Sequence, residues 1–277
     1  MLSGSYIIKE NIEKEKFPII ISLPHSGDNY YSEFIKSSLL DKDELCRAED
    51  SFVDEIWDFS INEGYCYIKS TIPRIYVDLN RHPLELDPYL CSSDIPKFEQ
   101  SKSLKVLSGI GVIPKVSNYG NDIYSEPLSR AEIRKRLISH YFPYHRALKS
   151  MIKRLKNKFK DVLVIDCHSM PSSDVPKKST FVDINLGNNY GLSISENIFN
   201  LIRGNFEKLG FIVEENVPYS GGFITQFYGN PSDGIHVLQL EINRSIFMDE
   251  KLFKKNRNIE QISKKIRKAT KSILLKL

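Results

Sequence analysis

Twice in this chain an amphipathic stretch with helical spacing runs straight into a short apolar stretch of strand length. Ile133, Leu137, Tyr141, Tyr144, Leu148, Ile152, Leu155 and Phe159 recur every three or four residues. The run ends at Val162–Ile165. Ile194, Ile198, Leu201 and Ile202 repeat the pattern in a helix expected over Leu192–Leu209, stopped by Gly210 and followed by Phe211–Val213. Further strands are expected at Pro18–Leu23, Tyr65–Ile68, Ile75–Leu79, Thr180–Ile184 and Val237–Ile242. Strands alternating with helices imply an α/β fold whose central sheet is mixed, mostly parallel, and flanked by helices. No repeat or linker divides the chain, so residues 1–277 are expected to form a single domain.

The first amphipathic stretch opens with Ser129 three residues before Glu132, the spacing of a capping box, and Pro143 is expected to kink or break it. A last helix should turn Ile259, Ile262, Ile266, Ala269 and Ile273 inward. Residues 85–127, with Pro88, Pro96, Pro114, Pro127 and three glycines, read as a long irregular excursion.

Charge bears on the choice of partner. The net charge is +4, yet residues 129–160 carry eleven Lys/Arg against one acid, and residues 251–277 carry ten against one. Both segments also hold an apolar stripe, so the basic residues read as solvated helix faces and nucleic acid is not the expected partner. No apolar run reaches the ~20 residues a membrane helix needs. Met1–Lys16 is polar with no apolar core, so no signal peptide is expected. Cys46, Cys66, Cys91 and Cys167 lack Cys-x-x-Cys spacing, and a reducing cytoplasm is the expected setting.

Ligands of open α/β sheets collect beyond the carboxyl ends of the strands. There the chain places Pro24-His25-Ser26-Gly27, Asn80-Arg81-His82-Pro83 and Asp166-Cys167-His168-Ser169, with Glu241 inside the last strand. Two imidazoles and a carboxylate with one open position form the usual catalytic zinc site. His25 and His168 are the candidate imidazoles. Asp28, Glu49, Asp50 and Asp54 are candidate carboxylates, although Asp50 or Ser51 could equally cap the following helix. Glu241, among apolar neighbours, suits a general base. Arg74, Arg81 and Arg244 call for planar anionic partners, either an internal Asp or a substrate carboxylate. His82 and His236 are expected to face outward.

These blocks, with Val77-Asp78-Leu79-Asn80-Arg81, Tyr144-His145, Gly221-Gly222 and Gln239-Leu240-Glu241-Ile242-Asn243-Arg244, resemble the N-formylglutamate amidohydrolase family, in the family's order from about residue 18 to 250. The resemblance implies a zinc-carboxypeptidase-like fold and metal-dependent hydrolysis of an amide on an acidic amino acid. N-formyl-L-glutamate, yielding formate and L-glutamate, is the implied substrate. It makes His25, Asp50 and His168 ligands of one divalent ion, expected to be zinc. Glu241 becomes the general base, and Arg74 steadies the oxyanion or a second carboxylate. Asn80 and Arg81, with Arg244, hold the substrate carboxylate. Apart from the resemblance, Gly221-Gly222 with Tyr228 read either as a mobile loop over the site or as a plain turn. Asp50-Ser51-Phe52 stands where the family commonly has Asp-Trp-His, and Pro73 where a Ser often precedes the arginine. Another N-acyl amino acid or a small peptide therefore remains an alternative substrate.

Overall fold

The computed structural model describes residues 4–9, 17–91, 103–175 and 181–273. Seven strands form one sheet: β1 (Tyr6–Lys9), β2 (Ile19–Leu23), β3 (Cys66–Ser70), β4 (Val162–Met170), β5 (Ile184–Gly187), β6 (Val213–Glu215) and β7 (Ile235–Asn243). Their spatial order is β1-β3-β2-β4-β7-β5-β6. β2 and β7 run parallel to β4, β6 runs parallel to β5, and β5 runs antiparallel to β7. The sheet is thus mixed and mostly parallel, as the alternation of elements implies. A small hairpin, β8 (Met248–Asp249) with β9 (Lys254–Lys255), follows it.

Helices α1 (Ser32–Ser37), α2 (Lys42–Cys46), α3 (Val53–Ile56), α4 (Phe59–Glu63) and α5 (Leu104–Leu107) are short. After α6 (Arg130–Arg136) come α7 (Phe142–Lys156), α8 (Glu196–Lys208), α9 (Phe223–Tyr228) and α10 (Ile259–Ile273). The residues fall into two compact units. One comprises 1–7, 24–49 and 69–148, and the other 8–23, 50–68 and 149–277.

The second unit holds the main core. Alternation sends Ile19, Ile21 and Leu23 of β2, Leu163, Ile165 and Cys167 of β4, and Leu238, Leu240 and Ile242 of β7 into one apolar cluster. Phe199, Ile202 and Phe206 of α8 and Ile262, Ile266, Ala269 and Ile273 of α10 pack into it. The basic residues of α10 lie on its other face, where Arg267 and Lys271 pair with Glu63. The second amphipathic segment becomes helical only from Glu196, with Ser195 at its N-cap and Gly210 beyond its end at φ 80°.

The first unit is largely irregular, as the proline-rich excursion leads one to expect; residues 92–102 of that stretch lie outside the described set. The long basic stretch is not broken at Pro143. Residues Leu137–Tyr141 widen into a π-helical turn that joins α6 to α7. Pro143 has no N–H to offer the carbonyl of Ser139 four residues back. Ser5 Oγ donates to that carbonyl instead. Ser129 caps Glu132 N–H, but Glu132 turns its carboxylate to Arg136 and Tyr76 and completes a different network.

The expected strand at Ile75–Leu79 does not form. Ile75, Val77 and Leu79 are buried all the same. Tyr76 N–H and Val77 N–H turn back to Pro73 O, and Asp78 N–H goes to Val112 O. An apolar run records burial, and here the backbone bonds are met by turns rather than by a ladder. The strand expected at Thr180–Ile184 is displaced to Ile184–Gly187, and Thr180 lies outside the described residues.

Candidate metal centre

β4 is longer than its apolar start, so Asp166, Cys167 and His168 lie within the strand rather than after it. Cys167 takes the core face, which leaves Asp166 and His168 together on the other. Register brings Ser22 of β2 beside Asp166, and Gln239 and Glu241 of β7 beside Asp166 and His168. One face of the sheet therefore carries Ser22, Asp166, His168, Gln239 and Glu241, all buried.

His168 lies between two carboxylates. Its Nε2 is 2.9 Å from Asp166 Oδ2 and its Nδ1 is 3.0 Å from Asp50 Oδ2. Ser22 Oγ donates to the other Asp166 oxygen at 3.0 Å. Burial disfavours a charged ring, but the charges and hydrogen bonds of Asp166 and Asp50, with Glu241 behind them, outweigh it and raise the His168 pKa well above the ordinary histidine range. Asp50 is not a helix cap. Phe52 occupies the N-cap of α3 in the left-handed region, at φ 66°. A bulky side chain rarely adopts that backbone, and here it is found two residues from a buried carboxylate. The second Asp50 oxygen accepts from Arg244 Nη2 at 3.2 Å and Ser169 Oγ at 3.3 Å, and Arg244 Nε donates to Ser169 Oγ at 3.1 Å.

His25 follows the end of β2 by two residues and is 3% exposed. Its Nε2 lies 2.7 Å from Asp78 Oδ1. Asp78 also accepts from Arg74 Nη2 at 2.8 Å and from its own turn at Asn80 N–H, 2.8 Å, and Arg81 Nε is 3.8 Å away. Burial alone would raise the Asp78 pKa. The His25, Arg74 and Arg81 charges overcome it and hold the carboxyl well below the usual range. The backbone carrying Asn80 and Arg81 is held from the α6–α7 stretch: Tyr141 Oη donates to Arg81 O at 2.8 Å, and His145 Nε2 lies 2.9 Å from Leu79 O.

Both candidate histidines thus have the same arrangement, a buried carboxylate on Nε2 that fixes the ring and makes Nδ1 the inner nitrogen. A carboxylate on the outer nitrogen is the usual way a metal-binding imidazole is oriented. His25, Asp50 and His168, all buried, offer two imidazoles and one carboxylate, the donor types of a catalytic zinc site with one position left open. The donor set fits a zinc-type ion in its chemistry.

The other candidate carboxylates are placed otherwise. Glu49 accepts from Tyr30 Oη at 2.9 Å and Arg74 N–H at 3.2 Å. Asp28 is exposed and Asp54 half-buried. His82 is exposed as expected, whereas His236 is buried, with Nε2 3.2 Å from Asp161 and Nδ1 accepting from Ser195 N–H. Sequence reading assigned no role to Asp78 or Asp166 as partners of the histidines. For Asp166 the signal existed, since a residue two before His168 in a strand shares its face. For Asp78, 53 positions from His25, no local signal exists.

A model of the N-formylglutamate amidohydrolase family matches residues 17–248. The N-formylglutamate deformylase of Pseudomonas putida is 28% identical over 240 residues, which are 85% of this chain and 83% of that protein. That of Pseudomonas aeruginosa is 27% identical over 245 residues, 87% and 85% of the two chains. The crystal structure of N-formylglutamate amidohydrolase from Ralstonia eutropha JMP134 is 26% identical and superposes with a TM-score of 0.90, over 99% of this chain and 97% of that one. With its family model matched along most of its length, the chain belongs to the N-formylglutamate amidohydrolase family.

Proposed function

We propose that this protein hydrolyses N-formyl-L-glutamate to formate and L-glutamate with the help of one divalent ion, zinc by preference, held by His25, Asp50 and His168. The observation that carries the reading is the matched pair of imidazoles, each with a buried carboxylate on its Nε2. When bound, such an ion polarises the amide carbonyl and makes water acidic enough to attack at neutral pH. Glu241 stands beside His168 in the sheet and accepts the proton of the attacking water. The new C–O bond forms at the formyl carbon, the C–N bond breaks, and Glu241 returns the proton to the departing amine. Arg81 and Asn80 hold the substrate carboxylate, which keeps the formyl group in attacking geometry. Arg74 and Arg81 converge on the single carboxylate of Asp78, so these three groups together are positive, as an acidic substrate requires. Arg244 acts on Asp50, orienting the ligand carboxylate.

No helix among the described residues is long and apolar enough to cross a membrane. Among the described residues Cys46, Cys66, Cys91 and Cys167 form no disulfide, which suits a reducing cytoplasm. The test is metal analysis of the purified protein combined with formate release from N-formyl-L-glutamate, N-formyl-L-aspartate and N-acetyl-L-glutamate. About one zinc per chain and preferred turnover of N-formyl-L-glutamate are expected. Preferred turnover of another acyl amino acid would reassign the substrate, and full activity after exhaustive chelation would remove the ion from the reaction.

A further inference from the structure

We propose that Gln239 is a positioning residue for Glu241, fixing its carboxylate and fastening it to the Gly221-Gly222 turn. The inference rests on Glu241 being the proton acceptor. Gln239 and Glu241 are two apart in β7 and share the face opposite Leu238, Leu240 and Ile242. Gln239 Nε2 donates to Glu241 Oε1 at 2.9 Å, and Gln239 Oε1 accepts from Gly222 N–H at 2.6 Å. Both side chains are buried, at 5% and 6% exposure. The amide has one workable orientation. Turned over, it would set its carbonyl against a carboxylate and its NH2 against an N–H.

The turn at the far end of this relay is itself fastened down. Gly221 has φ 123°, a backbone reserved for glycine, and a Cβ there would come within 2.7 Å of Thr225 Cγ2. Gly187 of β5 has no room for a Cβ, which would lie 2.8 Å from Gly221 N, so the turn rests directly on the strand beside β7. Tyr219 N–H donates to Asn185 Oδ1 at 3.2 Å, and Asn189 N–H to Ser220 O at 2.7 Å. Asn185 is the register partner of Glu241 across β5 and β7. The turn is thereby a fixed point, and Gln239 transmits its position to the carboxylate. A glutamate side chain without that donor can rotate, and a displacement of ~1 Å in a reacting group costs up to ~10²-fold in rate.

The experiment is a double-mutant cycle on the zinc-loaded full chain, with Gln239→Met and the isosteric Gln239→Glu made alone and combined with Glu241→Gln. Formate release gives kcat and KM, and metal content and Tm are measured alongside. Each Gln239 variant should lower kcat by about 10- to 100-fold, with KM within about threefold and metal content unchanged. In the Glu241→Gln background the same substitutions should cost no more than about twofold, because the group they position is already lost. Wild-type kcat in both Gln239 variants would overturn the inference, as would an equal loss in both backgrounds, which marks a general structural role. Should Glu241→Gln alone keep normal kcat, the reading of Glu241 fails first and this inference with it. That outcome is distinct from a Gln239 failure beside an inactive Glu241→Gln.

Discussion

Asp166→Asn isolates what the carboxylate behind His168 contributes. Asp166 is fully buried, accepts from Ser22 Oγ at 3.0 Å, and lies 2.9 Å from His168 Nε2. Asparagine keeps the shape and can still offer a carbonyl oxygen to the ring N–H, so the orientation of the imidazole survives. What disappears is the charge. A charged hydrogen-bond partner contributes about 1.5–3 kcal/mol where a neutral one contributes about 1, so the deficit is about 0.5–2 kcal/mol. At ~1.4 kcal/mol per decade, zinc affinity should fall about 2- to 30-fold, reaching only the lower part of the roughly 10- to 100-fold usual for losing a partner of a metal-binding histidine. Asp166→Ala also strands the ring N–H and the Ser22 hydroxyl in the core, and should cost about 10- to 100-fold in affinity together with a lower Tm. The assay is competition for zinc against a chromophoric chelator, with formate release measured at saturating zinc. Activity of the Asn variant should recover as zinc is raised. Unchanged zinc affinity in both variants would refute the reasoning and leave Asp166 as a structural partner of Ser22 alone.

His25→Ala and His168→Ala should each lose metal and activity while the circular dichroism of the fold persists; full metal occupancy in the double variant would dismiss the site. Glu241→Gln should retain metal and KM and lose about 10²- to 10⁴-fold in kcat by steady-state formate release, and a near-normal kcat would place the base elsewhere. Arg81→Ala should raise KM strongly with a smaller fall in kcat, and Arg81→Lys should rescue poorly because a point charge does not reproduce the planar fork. An unchanged KM would mark Arg81 as a structural partner of Asp78. Ile266→Ala, at a fully buried position of α10, should cost about 2–5 kcal/mol in urea unfolding with little effect on KM.

Local pattern alone determined a good deal of this protein. The alternation of apolar runs and amphipathic stretches specified β2, β4, β7, α8 and α10 and a mostly parallel sheet, because each such element buries a periodic face whatever its neighbours are. The ordered blocks pointed to the family; His25, His168 and Glu241 stood out by residue type and position, and Asp50 was chosen among four carboxylates through the family resemblance. Tertiary structure decided the rest. Ile75–Leu79 has the composition of a strand, yet its backbone bonds close into turns, and burial without a partner strand leaves no trace in composition. Pro143 ought to break a helix, but a π-helical turn and a hydroxyl from Ser5, more than a hundred residues away, make it tolerable. The same holds at the site. Which carboxylate faces which histidine depends on strand register and on a turn that returns Asp78 to His25. Arg74 and Arg244 were open to substrate or to an internal acid, and only the fold set them against Asp78 and Asp50. Residue type and spacing are local properties, whereas a hydrogen bond between distant residues exists only once the chain has closed upon itself.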